Sequence, residues 1–512
     1  MSSVGGTYGL SGSGMDIDSI VKSLMTSQQA KADALLQKKT VTEWQKAAYN
    51  TVYDDINAFR TTVFNFKLQS TLSPNKVTSS NTSVATVTAM SDAADVNHSL
   101  VVTQLAGGVN LTSSATITAV GAPDKLNIGN QIYGGTAPTG LYKFTISNGG
   151  ESKEITVDPT KSINDLVSQI NSAGVNVKAS YDSTLDRFFM STTNTGSSAE
   201  IKIVNDAAND AANDASWGAD FFVEKLKLPA EVSTTGKTGK DAEFTLDDVP
   251  LTQANNSFSI SSVTYNLTGV SATPVNISVT NDTDKAVASI QSLVDSYNKI
   301  LADINGKMNE TRYKDFPPLT DAQKSVMKEA DITAWELKAK SGMLHNDSTL
   351  ASLVNSMRSA FSNPVTGSTP PYNTGSSIGI TTGAYTEGGK LTLDTDKLRT
   401  ALQANPDVLN QLFGSTGTDF NSQGIAGRLY DGIKTKMDQV AQIAGTTGGA
   451  QYDIKSNFAK KIAAYNLQIS SQADRFDVVQ KAYYKKFNAM EVALKQLSSQ
   501  SSWLNSFGTT SQ

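Results

Sequence analysis

His345, Asp347 and Ser348 fall together in the stretch GMLHNDSTL, and a hydroxyl, an imidazole and a carboxylate are the parts of a nucleophilic triad. Their spacing argues for another role. Triads converge from separated segments, whereas this polar run directly precedes Leu350, Leu353, Val354 and Met357, an apolar pattern of helical period, as a helix cap would. His98 is the only other histidine and cysteine is absent, so zinc, iron and copper have almost no ligands. Asp16 with Asp18, and Asp206 with Asp210, lack the full spacing of a calcium loop. No GxxxxGK[ST] occurs and no GxGxxG follows a strand, which leaves nucleotide binding without a motif. Trp44, Trp335 and Trp503 could stack on sugars or bases, but each lies in or beside a helical pattern and reads as a packing residue. The sequence therefore predicts no enzyme, no cofactor and no metal.

Bulk properties narrow the class further. A chain of 512 residues exceeds what one core organises, so two to four domains are expected. Hydrophobic residues make up 38%, which fits a folded protein, and the 43 basic residues are scattered under a net charge of −5, which argues against nucleic acid as a partner. No apolar run reaches the roughly 18 residues a membrane span needs. The opening MSSVGGTYGLSGSGMDIDSIVKSLM has no positive charge before Lys22 and no apolar core, so a cleaved signal peptide is not expected. That reads as cytoplasmic residence or as export by another route. Absence of cysteine suits either, since a disulfide would block threading through a narrow conduit.

The elements carry the strongest signal. Apolar residues at Ile17, Val21 and Leu24, then at Tyr49, Val52, Ile56, Phe59, Val63 and Phe66, follow heptad steps, while the positions between them are Gln28, Lys31, Leu35, Lys38, Thr42 and Gln45. This predicts one helix capped by Asp16, with room for a break near residues 38 to 45 and a stop enforced by Pro74. A second seam runs Phe458, Ile462, Tyr465, Ile469, Gln472, Phe476, Val479, Tyr483, Phe487, Met490, Leu494, Leu497, Ser501 and Leu504, with a stutter across Val479, Tyr483 and Phe487. A third, Val287, Ile290, Val294, Tyr297, Leu301 and Ile304, can pair antiparallel with residues 45 to 70, making everything from about 76 to 281 an insertion between two helices of one bundle.

Inside that insertion, strand patterns occur at VATVTAM, SLVVTQL, EFTLDDV, SFSISSV and PVNISVTND, and LYKFTIS with ESKEITV makes a hairpin about Asn148, Gly149 and Gly150. Ser162 should cap a short helix ending at Gly174, before strand VNVKASY. The tract NDAANDAANDAS reads as a surface loop or a short polar helix. The expected fold class is α+β multidomain: long coiled-coil helices at both termini form a stalk, with β-rich head domains inserted between helices of a helical bundle. The expected parts are a terminal leg (1–44 and 445–512), a helical stalk domain (45–75 and 282–444), an inner β-rich head (76–112 and 241–281) and an outer β-rich head (113–240).

Burying the apolar C-terminal seam represents on the order of 20 to 30 kcal/mol gross, which a lone helix cannot realise. Association is the chemistry this predicts: in part between the two terminal helices, in part with other molecules. The assembly residues it nominates are Ile17, Val21, Leu24, Val52, Ile56, Phe59, Val63, Phe66, Phe458, Ile462, Tyr465, Ile469, Phe476, Val479, Tyr483, Phe487, Met490, Leu494, Leu497 and Leu504.

With those residues in view, the chain resembles the flagellar filament cap family, also called the hook-associated protein 2 family, over nearly its whole length. LSGSGMDIDSIVKSLM resembles the family's N-terminal signature, and KVTSSNTSVATVTAMSDAADVNHSLVVTQLA its first β segment. ITVDPTKSINDLVSQINSAGVNVKASYD resembles the flagellin IN motif, with Ile170 and Asn171 as the named pair, and that motif alone marks only the flagellar axial group. VNISVTNDTDKAVASIQSLVDSYNKIL, MLHNDSTLASLVNSMRSAF and IGITTGAYTEGGKLTLDTDKLRTALQANPDVLNQLFG narrow it to the cap family. Asp248 stands where the family often has Gly.

The resemblance implies a structural cap at the distal tip of the bacterial flagellum, extracellular, promoting flagellin folding and polymerisation and preventing flagellin leakage. It implies a homo-oligomeric ring, a pentamer, with flagellin, the hook-filament junction protein, the flagellar export apparatus and an export chaperone as partners. Export would run through the flagellar secretion channel. The rival readings are another axial protein, a flagellin or junction protein, and an adhesin whose β-rich head serves cell adhesion.

Overall fold

The computed structural model describes residues 16–205, 217, 220–383, 387–446 and 453–508. The Gly- and Ser-rich opening and the NDAANDAANDAS tract, with Asp206 and Asp210, lie outside the described residues. The chain forms two compact units, Met1–Ser73 with Thr283–Gln512, and Pro74–Asp282. Fold class follows the sequence: long helices at either end and β-rich structure between.

The first unit is helical. Its helices are α1 (Ile17–Asn65), α2 (Thr283–Asn309), α3 (Glu329–Lys340), α4 (Ser348–Ser362), α5 (Thr395–Ala404), α6 (Ile425–Ala444) and α7 (Asn457–Gly508). Asp16 caps α1 as expected, its side chain accepting from the Ser19 amide at 3.0 Å. The break allowed near residues 38 to 45 does not occur, because no Gly or Pro interrupts the ladder and the polar side chains find partners. Thr42 is buried and donates to the Lys38 carbonyl at 2.9 Å, Gln37 donates to the Pro318 carbonyl at 2.8 Å, and Lys340 lies 5.2 Å from the Trp44 ring. Nor does Pro74 stop the helix. It ends at Asn65, where buried Phe66 turns the chain into the separate turn Gln69–Leu72.

The predicted antiparallel pairing of α1 with the third seam holds: the Phe59 and Tyr297 rings meet edge-on at 6.2 Å, and Val52 shares a groove with Ile304. The apolar faces of α1, α2, α4, α5 and α6 enclose one core that includes Val52, Ile56, Phe59, Ile290, Tyr297, Leu353, Leu398 and Leu429. Arg428, wholly buried on α6, donates to the carbonyls of Asn363, Pro364, Phe420 and Asn421 and stacks over Phe420.

The second unit has two cores. One lies between a five-stranded sheet, in spatial order Asn75–Ser79, Val275–Asn281, Val96–Gln104, Ala242–Leu246, Val249–Gln253, and the three strands Ser257–Ile260, Val263–Leu267, Ala85–Ala89. EFTLDDV and SFSISSV are therefore each a strand plus a turn, not one strand. Asp247 and Asp248 take φ of 52° and 63°, and Ser261 and Ser262 take 51° and 64°, the left-handed pairs that close a two-residue hairpin with the sheet's own twist. Asp248 thus adopts the conformation Gly would supply.

The other core is built around the hairpin Tyr142–Asn148/Glu151–Val157 and the short helix Ile163–Ser172, whose cap is Ser162 with Asp165 in a reciprocal box. Phe144, Phe188, Trp217, Phe221 and Phe222 fill it.

Candidate assembly site

The two terminal seams meet each other. Asp18 on α1 accepts from the Tyr484 hydroxyl of α7 at 2.9 Å, Gln28 faces Gln472 at 3.1 Å, Tyr49 lies 5.8 Å from Phe458, and Lys46 pairs with Asp453 at 2.9 Å. Rising numbers on one helix meet falling numbers on the other, so the pair is antiparallel. Ile17, Val21 and Met25 form a small buried cluster under Phe476, Val479, Tyr483, Tyr484 and Phe487. Asp453 fixes where α7 begins: its carboxylate accepts from the Lys455 and Ser456 amides and from Lys46. Burial alone would raise its pKa, but bonds from Ser456 and Lys46 outweigh that and hold the carboxyl well below the usual range.

The nominated seam residues divide into three groups. Val52, Ile56, Phe59, Val63 and Phe66 are interior residues of the first unit's core. Ile17 and Val21 are buried against α7, and Phe458, Ile462, Tyr465, Ile469, Phe476, Val479, Tyr483 and Phe487 are half-buried. Leu24 (45% exposed), Met490 (41%), Leu494 (37%), Leu497 (61%) and Leu504 (64%) are open. Met25 was missed: Ile17, Val21 and Met25 step by four, and the period-four stripe takes the place of Leu24 in the contact. Tyr484, Asp453 and Lys46 were missed as well, because a polar contact across sequence distances of hundreds of residues leaves no local pattern.

Asp347 caps α4 through the Leu350 amide at 2.9 Å and accepts from Tyr49, while His345 contacts its neighbour Asn346, so no relay links Ser348, His345 and Asp347. Among the described residues no three His, Asp or Glu gather as a metal site, and no helix is long and apolar enough to cross a membrane. In the IN segment, Ile170 is buried, and Asn171 ties the helix end to the next strand, accepting from the Ala179 amide at 2.8 Å and donating to its carbonyl at 3.0 Å.

A family model described as the C-terminus of flagellar hook-associated protein 2 matches residues 239–499, and its N-terminal counterpart matches residues 13–108. The chain belongs to the flagellar hook-associated protein 2 family. The flagellin hook IN motif matches residues 143–194 between them. Flagellar hook-associated protein 2 of Halalkalibacterium halodurans is 28% identical over 97% of this chain and 99% of its own length, and that of Escherichia coli K12 is 25% identical over 96% of each. The crystal structure of the D1-D2-D3 domains of the Escherichia coli flagellar cap protein FliD shares the fold at a TM-score of 0.55 and 22% identity, covering 82% of this chain and 99% of that one.

Proposed function

We propose that this chain is the structural cap at the distal tip of the bacterial flagellar filament, where it promotes flagellin folding and polymerisation and prevents flagellin leakage. The carrying observation is that the α7 seam outruns its intrachain cover: past Phe487 it continues through Met490, Leu494, Leu497 and Leu504 with those side chains open to solvent. An open apolar ridge at one end of a folded stalk is a docking element.

In this reading the protein works without catalysis as a homo-oligomeric ring, a pentamer, outside the cell. Residues 1–44 and 445–512 act as the leg that reaches flagellin and the hook-filament junction protein, and 45–75 with 282–444 form the stalk. Residues 76–112 with 241–281, and 113–240, form inner and outer heads. Passage through the flagellar secretion channel, with an export chaperone holding the open ridge, suits a chain that lacks cysteine.

Deleting the protein in its host should give short or absent filaments and flagellin shed into the culture. Restoring a chain truncated after Asn488 should leave that defect in place although stalk and head still fold. Normal filaments without the protein would refute the reading.

A further inference from the structure

Between Val52 and Asn65, α1 runs with α2 on one side and α6 on the other, and Lys67 lies in the turn that follows. Nine residues separate Asp55 from Phe64, about two and a half turns, so their side chains leave opposite flanks of the helix.

On the α2 flank lies a cavity of about 180 Å³ floored by Val52, Ile300 and Ile304 and rimmed by Asp55, Asp303 and Lys307. Burial raises the Asp55 pKa, and repulsion from Asp303 and Asp54 adds to it against the attraction of Lys299 and Lys307. Added positive charge at this rim is therefore favourable.

On the α6 flank stands an aromatic knob between two cations. Phe64 is 46% exposed and lies 5.9 Å from the Tyr430 ring, over which Lys67 sits at 4.7 Å and Arg60 at 5.6 Å. An exposed aromatic beside an arginine is the composition of an interface anchor, and Lys67 adds a second positive charge.

We infer that these two flanks are the two halves of a subunit contact: Phe64 of one copy enters the α1–α2 cavity of the next, with Arg60 and Lys67 brought beside Asp55 and Asp303. This rests on the ring reading above and names the stalk surface that closes the ring. The occupant is a second copy because knob and hole, and cation and carboxylate, are complementary and both lie on this chain. Knob and hole lie on different flanks, so the contact is heterologous. Each copy gives one half and receives the other, which generates a closed ring or an open helix according to the rotation.

The test uses full-length protein, read by light scattering and electron microscopy. Arg60→Glu with Lys67→Glu, and separately Asp55→Lys with Asp303→Lys, should each weaken self-association about tenfold or more at low ionic strength. All four substitutions in one chain should restore it, because the charges are then exchanged rather than lost. Phe64→Asp, at an exposed position outside the core, should weaken assembly while far-UV circular dichroism stays native. Rings that form equally well in both charge-reversed variants and in Phe64→Asp, or a fourfold variant that stays dissociated, would overturn this contact and leave the cap reading standing. An unsubstituted chain that is monomeric at every concentration would instead overturn the ring itself.

Discussion

Gln28 and Gln472 face one another across the antiparallel α1–α7 pair, the Gln472 side-chain amide donating to Gln28 Oε1 at 3.1 Å. Gln472 is the polar residue of an otherwise apolar stretch of its seam, between Ile469 and Phe476, and Gln28 opens the polar middle of the other. This bond forms only in this register, and a slip of one heptad would set Gln472 against Val21 or Leu35 instead. Replacing both by Leu should raise the thermal stability of the leg and loosen its register. Spin labels at Lys22→Cys and Lys481→Cys, specific in a chain without cysteine, would report a broadened distance distribution in the double-Leu background. An unchanged, narrow distribution would mean that the aromatic contacts set the register instead.

Val21 is fully buried beneath the α7 aromatics. Val21→Ala removes two methyl groups from that contact, at a cost of about 1.5 kcal/mol. Because the leg is a small cluster joined to a large stalk core, it should open as its own unit. Hydrogen exchange should speed up about tenfold in residues 17–30 and 472–487. Exchange in α2, α4 and α6 should not change.

Asp186 ties a long loop of the second unit in place, accepting from the Thr118 amide and hydroxyl, from the Tyr181 hydroxyl and from Lys125. Burial opposes ionisation, but those bonds outweigh it and hold the pKa down at about 2, from 3.8. A carboxyl with a depressed folded pKa contributes stability above its unfolded value and loses it as pH falls. The second unit should therefore lose on the order of 2 kcal/mol between pH 4 and pH 2. Asp186→Asn should be less stable at neutral pH and should lack that part of the acid transition, followed by circular dichroism.

The Arg428 guanidinium holds two loops together through four carbonyls at 2.5 to 2.8 Å. Arg428→Met fills the same space but leaves the carbonyls unpaired, at a cost of about 3 kcal/mol. Arg428→Lys recovers only part of this, since an ammonium cannot present the planar fork. Urea unfolding of the first unit would measure both.

Several elements were legible because their signal is local. The period of Ile56, Phe59 and Val63 marks a helix wherever the chain goes, the Ser162 box needs only four residues, and Gly149–Gly150 announces its hairpin. EFTLDDV misled because Asp-Asp, like Ser-Ser in SFSISSV, is a weaker turn signal than Asn-Gly, although the backbone it adopts is the same. The polar stretch from Gln37 to Gln45 suggested a break because its partners, Pro318 for Gln37 and Lys340 for Trp44, come from about three hundred residues away.

Residue type and periodicity were enough to mark apolar helical ridges at both ends of the chain and to predict association through them, because both signals are local. Tertiary structure alone decided which parts of those ridges are used up inside the chain. Val52 to Phe66 belong to the core of the first unit, Ile17 and Val21 are covered by α7, and Leu24, Met490, Leu494, Leu497 and Leu504 stay open. Burial depends on which surfaces the folded chain brings within contact distance, and an amphipathic repeat reads the same whether its partner is its own other end or a neighbouring molecule.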